Sequence, residues 1–164
     1  MKNLLSLILS CLLYLPSQAQ FLSPQSYGSL ATELLYLEFK GNGGNFSLNF
    51  ESLLALSDHA GASSRIGVSA FPMGEGQMEF GVPITVSGFF GGGNIFGEIG
   101  GGTSLLFTNR ISEEGAEILP TGIAGIRYHP NKDGGILIRL TYTPFWRNNQ
   151  VEHQMGFSIG FGLR

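Results

Sequence analysis

From Glu33 onward, apolar and polar residues alternate, the period of strands whose two faces meet different surroundings. Leu35, Leu37 and Phe39 oppose Tyr36, Glu38 and Lys40; Gly41-Asn42-Gly43-Gly44 signals a tight turn; Phe46, Leu48 and Phe50 then oppose Asn45, Ser47, Asn49 and Glu51. A third strand sets Ile66, Val68 and Ala70 against Arg65, Gly67 and Ser69. A fourth sets Val82, Ile84 and Val86 against Pro83, Thr85 and Ser87, with Pro83 expected near a bulge or strand start because it lacks a ladder donor. The fifth, IFGEIGGGTSLLF, is glycine-rich around Glu98, and the sixth sets Ala124, Ile126 and Tyr128 against Gly125, Arg127 and His129. The chain closes on a hairpin. Ile138, Leu140 and Tyr142 alternate with Arg139, Thr141 and Thr143, and then Met155, Phe157, Ile159, Phe161 and Leu163 alternate with Gln154, Gly156, Ser158, Gly160 and Gly162.

Residues 52–64, SLLALSDHAGASS, break this pattern and are expected to form an irregular connection. TNRISEEGAE, at 108–117, reads as the longest polar loop, PMGEGQ and RNNQVEH as further loops, and 91–94 and 131–135 as short turns. The count is then about eight strands, with no repeat and no linker. A face of large apolar side chains backed by glycine, serine and charge suits a strand with lipid outside and a tight polar lumen inside. The fold expected is all-β: an eight-stranded antiparallel up-and-down transmembrane β-barrel spanning 33–164. If both ends lie in the periplasm, the even-numbered connections face that side, where the length of 52–64 is atypical.

Composition narrows the surroundings. Charged residues are 13% of the chain and glycines number 25 of 164, poorer in charge and richer in glycine than a soluble domain, with no later apolar run long enough for a spanning helix. The start, MKNLLSLILSCLLYLPSQAQ, has Lys2, an apolar run over 4–15 and Ser17-Gln18-Ala19, the features of a secretory leader (1–19) cleaved after Ala19. Residues 20–32 follow as a periplasmic lead-in. Cys11, the single cysteine, lies inside the apolar run; acylation there is the alternative to its removal, and with removal disulfides and thiol chemistry are excluded. A net charge of -3 argues against nucleic-acid binding. A bacterial outer-membrane monomer bathed in lipid follows.

GIRYHPNKDGGILIRLTYTPFW followed by GFSIGFGLR resembles the C-terminal part of small Bacteroidota outer-membrane β-barrel proteins, and LEFKGNGGNFSLNFE and FGEIGGG extend the resemblance over most of the mature chain. The resemblance implies outer-membrane location and insertion by the barrel assembly machinery through the C-terminal strand. One departure is the ending Leu163-Arg164, where such barrels usually finish on an aromatic residue; Phe161 is the substitute.

Candidate chemistry lies on the inward faces. Glu38, Glu51, Arg65, Glu98, Arg127 and Arg139 all point to a lumen too narrow for an open pore, so they are expected to pair as a structural network, with a proton or ion path and catalysis as the sharper alternatives. Phe89, Phe90, Tyr128, Tyr142, Phe145 and Trp146 sit at strand ends and are expected to form interfacial girdles, with carbohydrate stacking as the alternative. His59, His129 and His153 are scattered without metal spacing, and Ser57-Asp58-His59 has the residue types of a hydrolase triad without its geometry. Gly97 to Gly102 lacks the spacing of a phosphate loop. His153 with Ser158 is the one pair that could serve a lipid-modifying enzyme, but their spacing puts them on opposite strand faces. No catalytic residue, cofactor or metal is expected. The function expected is a closed barrel with a structural or surface-loop binding role; the alternatives are a lipid-modifying enzyme and a soluble lipocalin-like periplasmic carrier.

Overall fold

The computed structural model describes residues 31–57, 59–73, 77–110, 113–130, 135–147 and 149–163. The expected leader with Cys11 and Ala19, most of the lead-in, Asp58, the tips at 74–76, 111–112 and 131–134, Asn148 and Arg164 lie outside them. Ten strand segments follow in order: β1 (Glu33–Phe39), β2 (Phe46–Ser57), β3 (Ala60–Met73), β4 (Gln77–Gly92), β5 (Ile95–Arg110), β6 (Glu113–Tyr128), β7 (Ile136–Tyr142), β8 (Phe145–Arg147), β9 (Gln150–Glu152) and β10 (Met155–Gly162).

These ten make eight barrel strands. Ala124 pairs with Tyr142 and Thr121 with Phe145 in one unbroken register, so β7 and β8 are a single strand interrupted at Thr143-Pro144. Pro144 has no N–H to give, and its carbonyl still accepts from Gly122 N at 2.8 Å. The β9–β10 break at His153-Gln154 lies directly opposite, where Thr143 N donates to the Gln154 carbonyl at 2.8 Å. All ladders are antiparallel, and β10 closes the ring on β1 through Leu34↔Gly162 to Phe39↔Phe157. Pairing of the last strand with Leu35 to Phe39 is what the terminal hairpin's pattern implies.

Ladder registers set the width. The path Gly162, Leu34, Glu51, Arg65, Thr85, Gly102, Thr121, Phe145, Glu152 circles the barrel and returns to its starting strand ten residues away. Eight strands at that stagger tilt by roughly 40° and leave an interior that side chains just fill.

Several connections differ from expectation. Residues 52–64 are not an irregular loop: β2 and β3 continue pairing to Ala55↔Gly61 and, after a register shift, to Ser57↔Ala60. Two residues separate β2 from β3 and two separate β4 from β5 on this rim, so the atypical long connection disappears. The pattern failed here because Leu53 faces inward onto an apolar part of the lumen, so both faces of the strand are apolar. Most of 108–117 and 147–153 is likewise strand, with Arg110 paired to Glu113 and Arg147 to Gln150. The run of polar residues in these segments had hidden the strand pattern. Pro83 sits in mid-strand without a bulge: the β3–β4 ladder skips Gly67 and Val68 opposite Val82 and Pro83, then resumes in the same register at Ser69↔Gly81.

The outward face is apolar. Leu37, Leu48, Ile66, Val86, Ile99, Ile126, Leu140 and Ile159, on successive barrel strands, are all exposed. The inward face has three layers: an apolar layer at the rim bearing the termini, a charged layer above it, and a hydroxyl- and amide-rich layer beneath the opposite rim.

Candidate functional site

The charged layer holds all six of Glu38, Glu51, Arg65, Glu98, Arg127 and Arg139, each buried. Arg127 and Arg139 are directly opposed across the β6–β7 ladder, an arrangement of like charges that repels by itself. Two carboxylates offset it. Arg127 reaches Glu51 at 2.5 Å and Glu98 at 3.2 Å; Arg139 reaches Glu51 at 2.9 Å and Glu98 at 3.5 Å. The result is a four-charge ring of alternating sign. Aromatic faces cover its two cations, Phe89 under Arg127 at 4.9 Å and Tyr36 under Arg139 at 4.5 Å. Ser87 donates to Glu98 at 2.6 Å and Tyr36 to Glu51 at 3.2 Å, which occupies further carboxylate lone pairs.

Arg65 and Glu38 form a looser pair at 3.3 Å, joined to the ring through the Tyr36 hydroxyl, which Arg65 meets at 3.1 Å. Arg65 also donates to Thr85 Oγ1 at 2.9 Å and to Asn42 Oδ1. Three carboxylates and three guanidiniums sum to zero charge, the condition under which such a layer can be kept from water.

Both ends of the lumen are closed. At the terminal rim Ala31, Leu34 and Leu137 belong to one apolar cluster and Phe89 and Phe96 form another, Leu53 packs against both, and His129 lies against Phe89 and Phe96. At the opposite rim, the turn between β1 and β2 folds inward. Lys40, Gly41 and Gly44 take left-handed backbone (φ 57°, 91° and 75°), and Gly41 to Gly44 are buried. The Asn42 carbonyl accepts from Ser104 across the barrel, while its side chain meets Arg65. Beside it remains a cavity of about 10 Å³, lined by Gly41, Asn42, Ser104, Leu119 and Phe145, room for about one water.

The aromatic residues divide. Phe90, Tyr128, Tyr142 and Trp146 face outward and are exposed; Phe89 (2% exposed) lies in the lumen, and Phe145 lines the cavity beside Asn42, so neither belongs to a girdle. Strand parity carried this signal: Phe89 follows Thr85 and Ser87, and Phe145 follows Thr141 and Thr143, all inward residues. Replacing Phe89 with alanine is expected to cost about 3–5 kcal/mol in urea unfolding, clearly more than Phe90→Ala; equal losses would place both rings on one face.

His153 and Ser158 are not brought together. Ser158 is buried in the lumen, whereas His153 is exposed, with Nδ1 bonded to the Tyr142 hydroxyl and the rings stacked at 5.9 Å. His59 flanks the turn after β2, where its backbone N–H, not its ring, meets Ser57 Oγ at 3.4 Å. Among the described residues no group of three or more His, Cys, Asp or Glu could hold a metal ion. The sequence had pointed to no role for Asn42, Phe96 or Leu53.

No protein-family model matches the chain, and no curated protein sequence matches it. Among solved structures, the chain is similar to the N-terminal β-barrel domain of Pseudomonas aeruginosa OprF, at 11% identity and TM-score 0.54, over 84% of this chain and 98% of that one. It is also similar to the Yersinia pestis outer membrane protein Ail in a phospholipid bilayer nanodisc, at 13% identity and TM-score 0.46, over 80% of this chain and 98% of that one. The likeness to the OprF domain, at 11% identity, concerns the fold alone, a closed eight-stranded antiparallel barrel.

Proposed function

We propose that this chain is a small outer-membrane barrel with a structural role or a role in binding through the turns of its outer rim, and that its lumen is a permanent plug and not a passage. The observation carrying this reading is the inversion of the usual protein: exposed Leu, Ile, Val and Phe encircle the barrel, while three Arg and three Glu are buried inside it. A belt of that kind in water would be an aggregation surface. In lipid it is matched, and eight tilted strands raise a band of roughly the 25 Å that the hydrocarbon requires. Phe90 and Tyr128 near the rim bearing the termini, and Trp146 near the other, suit its two interfaces.

A soluble carrier would need the reverse, an apolar cavity within charged walls. The secretory leader, a periplasmic placement of the termini, a monomeric state, insertion through the C-terminal strand and the Bacteroidota resemblance belong to the same reading. Fractionation tests it. The chain is expected in the Sarkosyl-insoluble outer-membrane fraction, with a folded band that migrates faster on gels before heating than after. Recovery in the periplasmic soluble fraction, with one heat-independent band, would reject it.

A further inference from the structure

We propose that His129 is an acid-operated latch holding Ala31 and Thr32, the residues that lead into β1, across the terminal rim of the lumen. Its ring is wholly buried (0% exposed) against both Phe89, stacked at 6.4 Å, and Phe96, edge-on at 6.2 Å. Nε2 bonds to the Ala31 carbonyl at 2.8 Å, so it carries the proton of a neutral ring, and Nδ1 is buried without a hydrogen-bond partner. Ala31 N donates to the Pro130 carbonyl at 3.0 Å, and the next residue's carbonyl, that of Thr32, accepts from Leu53 N at 2.8 Å. The imidazole therefore clasps the first described residue from inside the barrel, beside Leu53, which packs against both apolar clusters of the seal.

A proton added at Nδ1 upsets this arrangement twice. It creates a donor with no acceptor, and it places a second cation near Arg127, whose guanidinium lies over the Phe89 ring on which the imidazole is stacked. Among the described residues, the charged groups facing the ring are Arg127 of β6, Glu51 of β2 and Arg139 of β7; β4 and β5 present Phe89 and Phe96, with Glu98 of β5 committed to Arg127 and Arg139. Glu51 is likewise committed to both arginines, so among the described residues facing the ring no free carboxylate is at hand to receive an imidazolium. Burial accordingly holds the imidazole below its usual 6.5. A released ring takes its proton at that ordinary value, so the sealed state is unaffected above it and loses stability as pH falls below it. The Asn42 plug at the far rim involves no histidine and stays closed.

Amide hydrogen exchange on the folded full chain in detergent micelles, corrected for the intrinsic pH dependence of exchange, reads the latch directly. Between pH 7.5 and pH 5.0, protection at Ala31 and Leu53 is expected to fall by about tenfold or more, while amides in the β4–β5 ladder keep theirs. In His129→Phe, which fills the space without titrating, and in His129→Gln, which keeps a donor for Ala31, the step is expected to vanish. If the phenylalanine variant does not fold, the glutamine variant decides. Equal protection at the two pH values in the unaltered chain, or a step that survives His129→Gln, overturns the proposal.

Discussion

Replacing Glu51 with leucine is expected to destabilise the barrel by about 3–5 kcal/mol, the largest effect of any single lumen charge, because two buried guanidiniums lose a partner at once. Glu51 takes Arg127 on one oxygen and Arg139 on the other. Without it both arginines depend on Glu98 alone, and their direct opposition across β6 and β7 is left half-compensated. Trp146, the only tryptophan and exposed on the outer face, provides the signal for urea unfolding in detergent. Glu98→Leu shifts the midpoint in the same direction, whereas substitution of the exposed Glu152 leaves it in place. Removing Arg139 together with Glu51 recovers part of the loss, since the pair departs with its charges balanced. An unchanged midpoint for Glu51→Leu would sink the idea that the ring is dry and mutually dependent.

Gly160→Val is expected to abolish closure. A side chain added at Gly160 would stand 2.2 Å from Tyr36 Cβ and 2.3 Å from the Leu35 carbonyl, and those atoms belong to the strand that completes the ring. Moving Tyr36 also disturbs its ring over Arg139 and its bond to Glu51. Alanine there costs about 3 kcal/mol or more, and valine removes the fast-migrating folded band altogether. Gly92→Ala serves as the control, because an added Cβ meets nothing closer than His59 at 3.9 Å. Wild-type folding of Gly160→Val would mean that the seam does not pack as described.

These two sites differ in how far the amino-acid order announces them. All six lumen charges stand at inward parity on clearly alternating strands, and the sequence could propose that they meet because Glu98, Arg127 and Arg139 fall at similar depths on consecutive strands. Their specific pairing was not legible. It depends on Tyr36 and on the stagger of the barrel, which brings Glu51 of β2 across to β6 and β7. Alternation also had a blind zone. Near the terminal rim the lumen itself is apolar, so Leu53 and Phe89 point inward while looking like residues of the outer face. Parity counted from Thr85 and Ser87 resolves Phe89; residue type does not. The inward fold of Gly41-Asn42-Gly43-Gly44 left no trace in the pattern. A glycine-rich turn is compatible with any direction, and this one is fixed by partners distant in sequence, Arg65 on the Asn42 side chain and Ser104, 62 positions away, on its carbonyl.

That turn bears on how the barrel comes apart. Gly156 of the closing strand has room for no side chain because the Gly41 backbone lies against it, 3.0 Å from where a Cβ would stand. The first hairpin's tip thus rests on the last strand, and its Asn42 is tied to β5 on the far wall. Fraying of the β1–β10 ladder from the Phe39↔Phe157 end must therefore lift the tip out of the interior and break the bond to β5 in the same motion. At that end the seam can part only when contacts across the full diameter part with it, so it has no shallow opened state there.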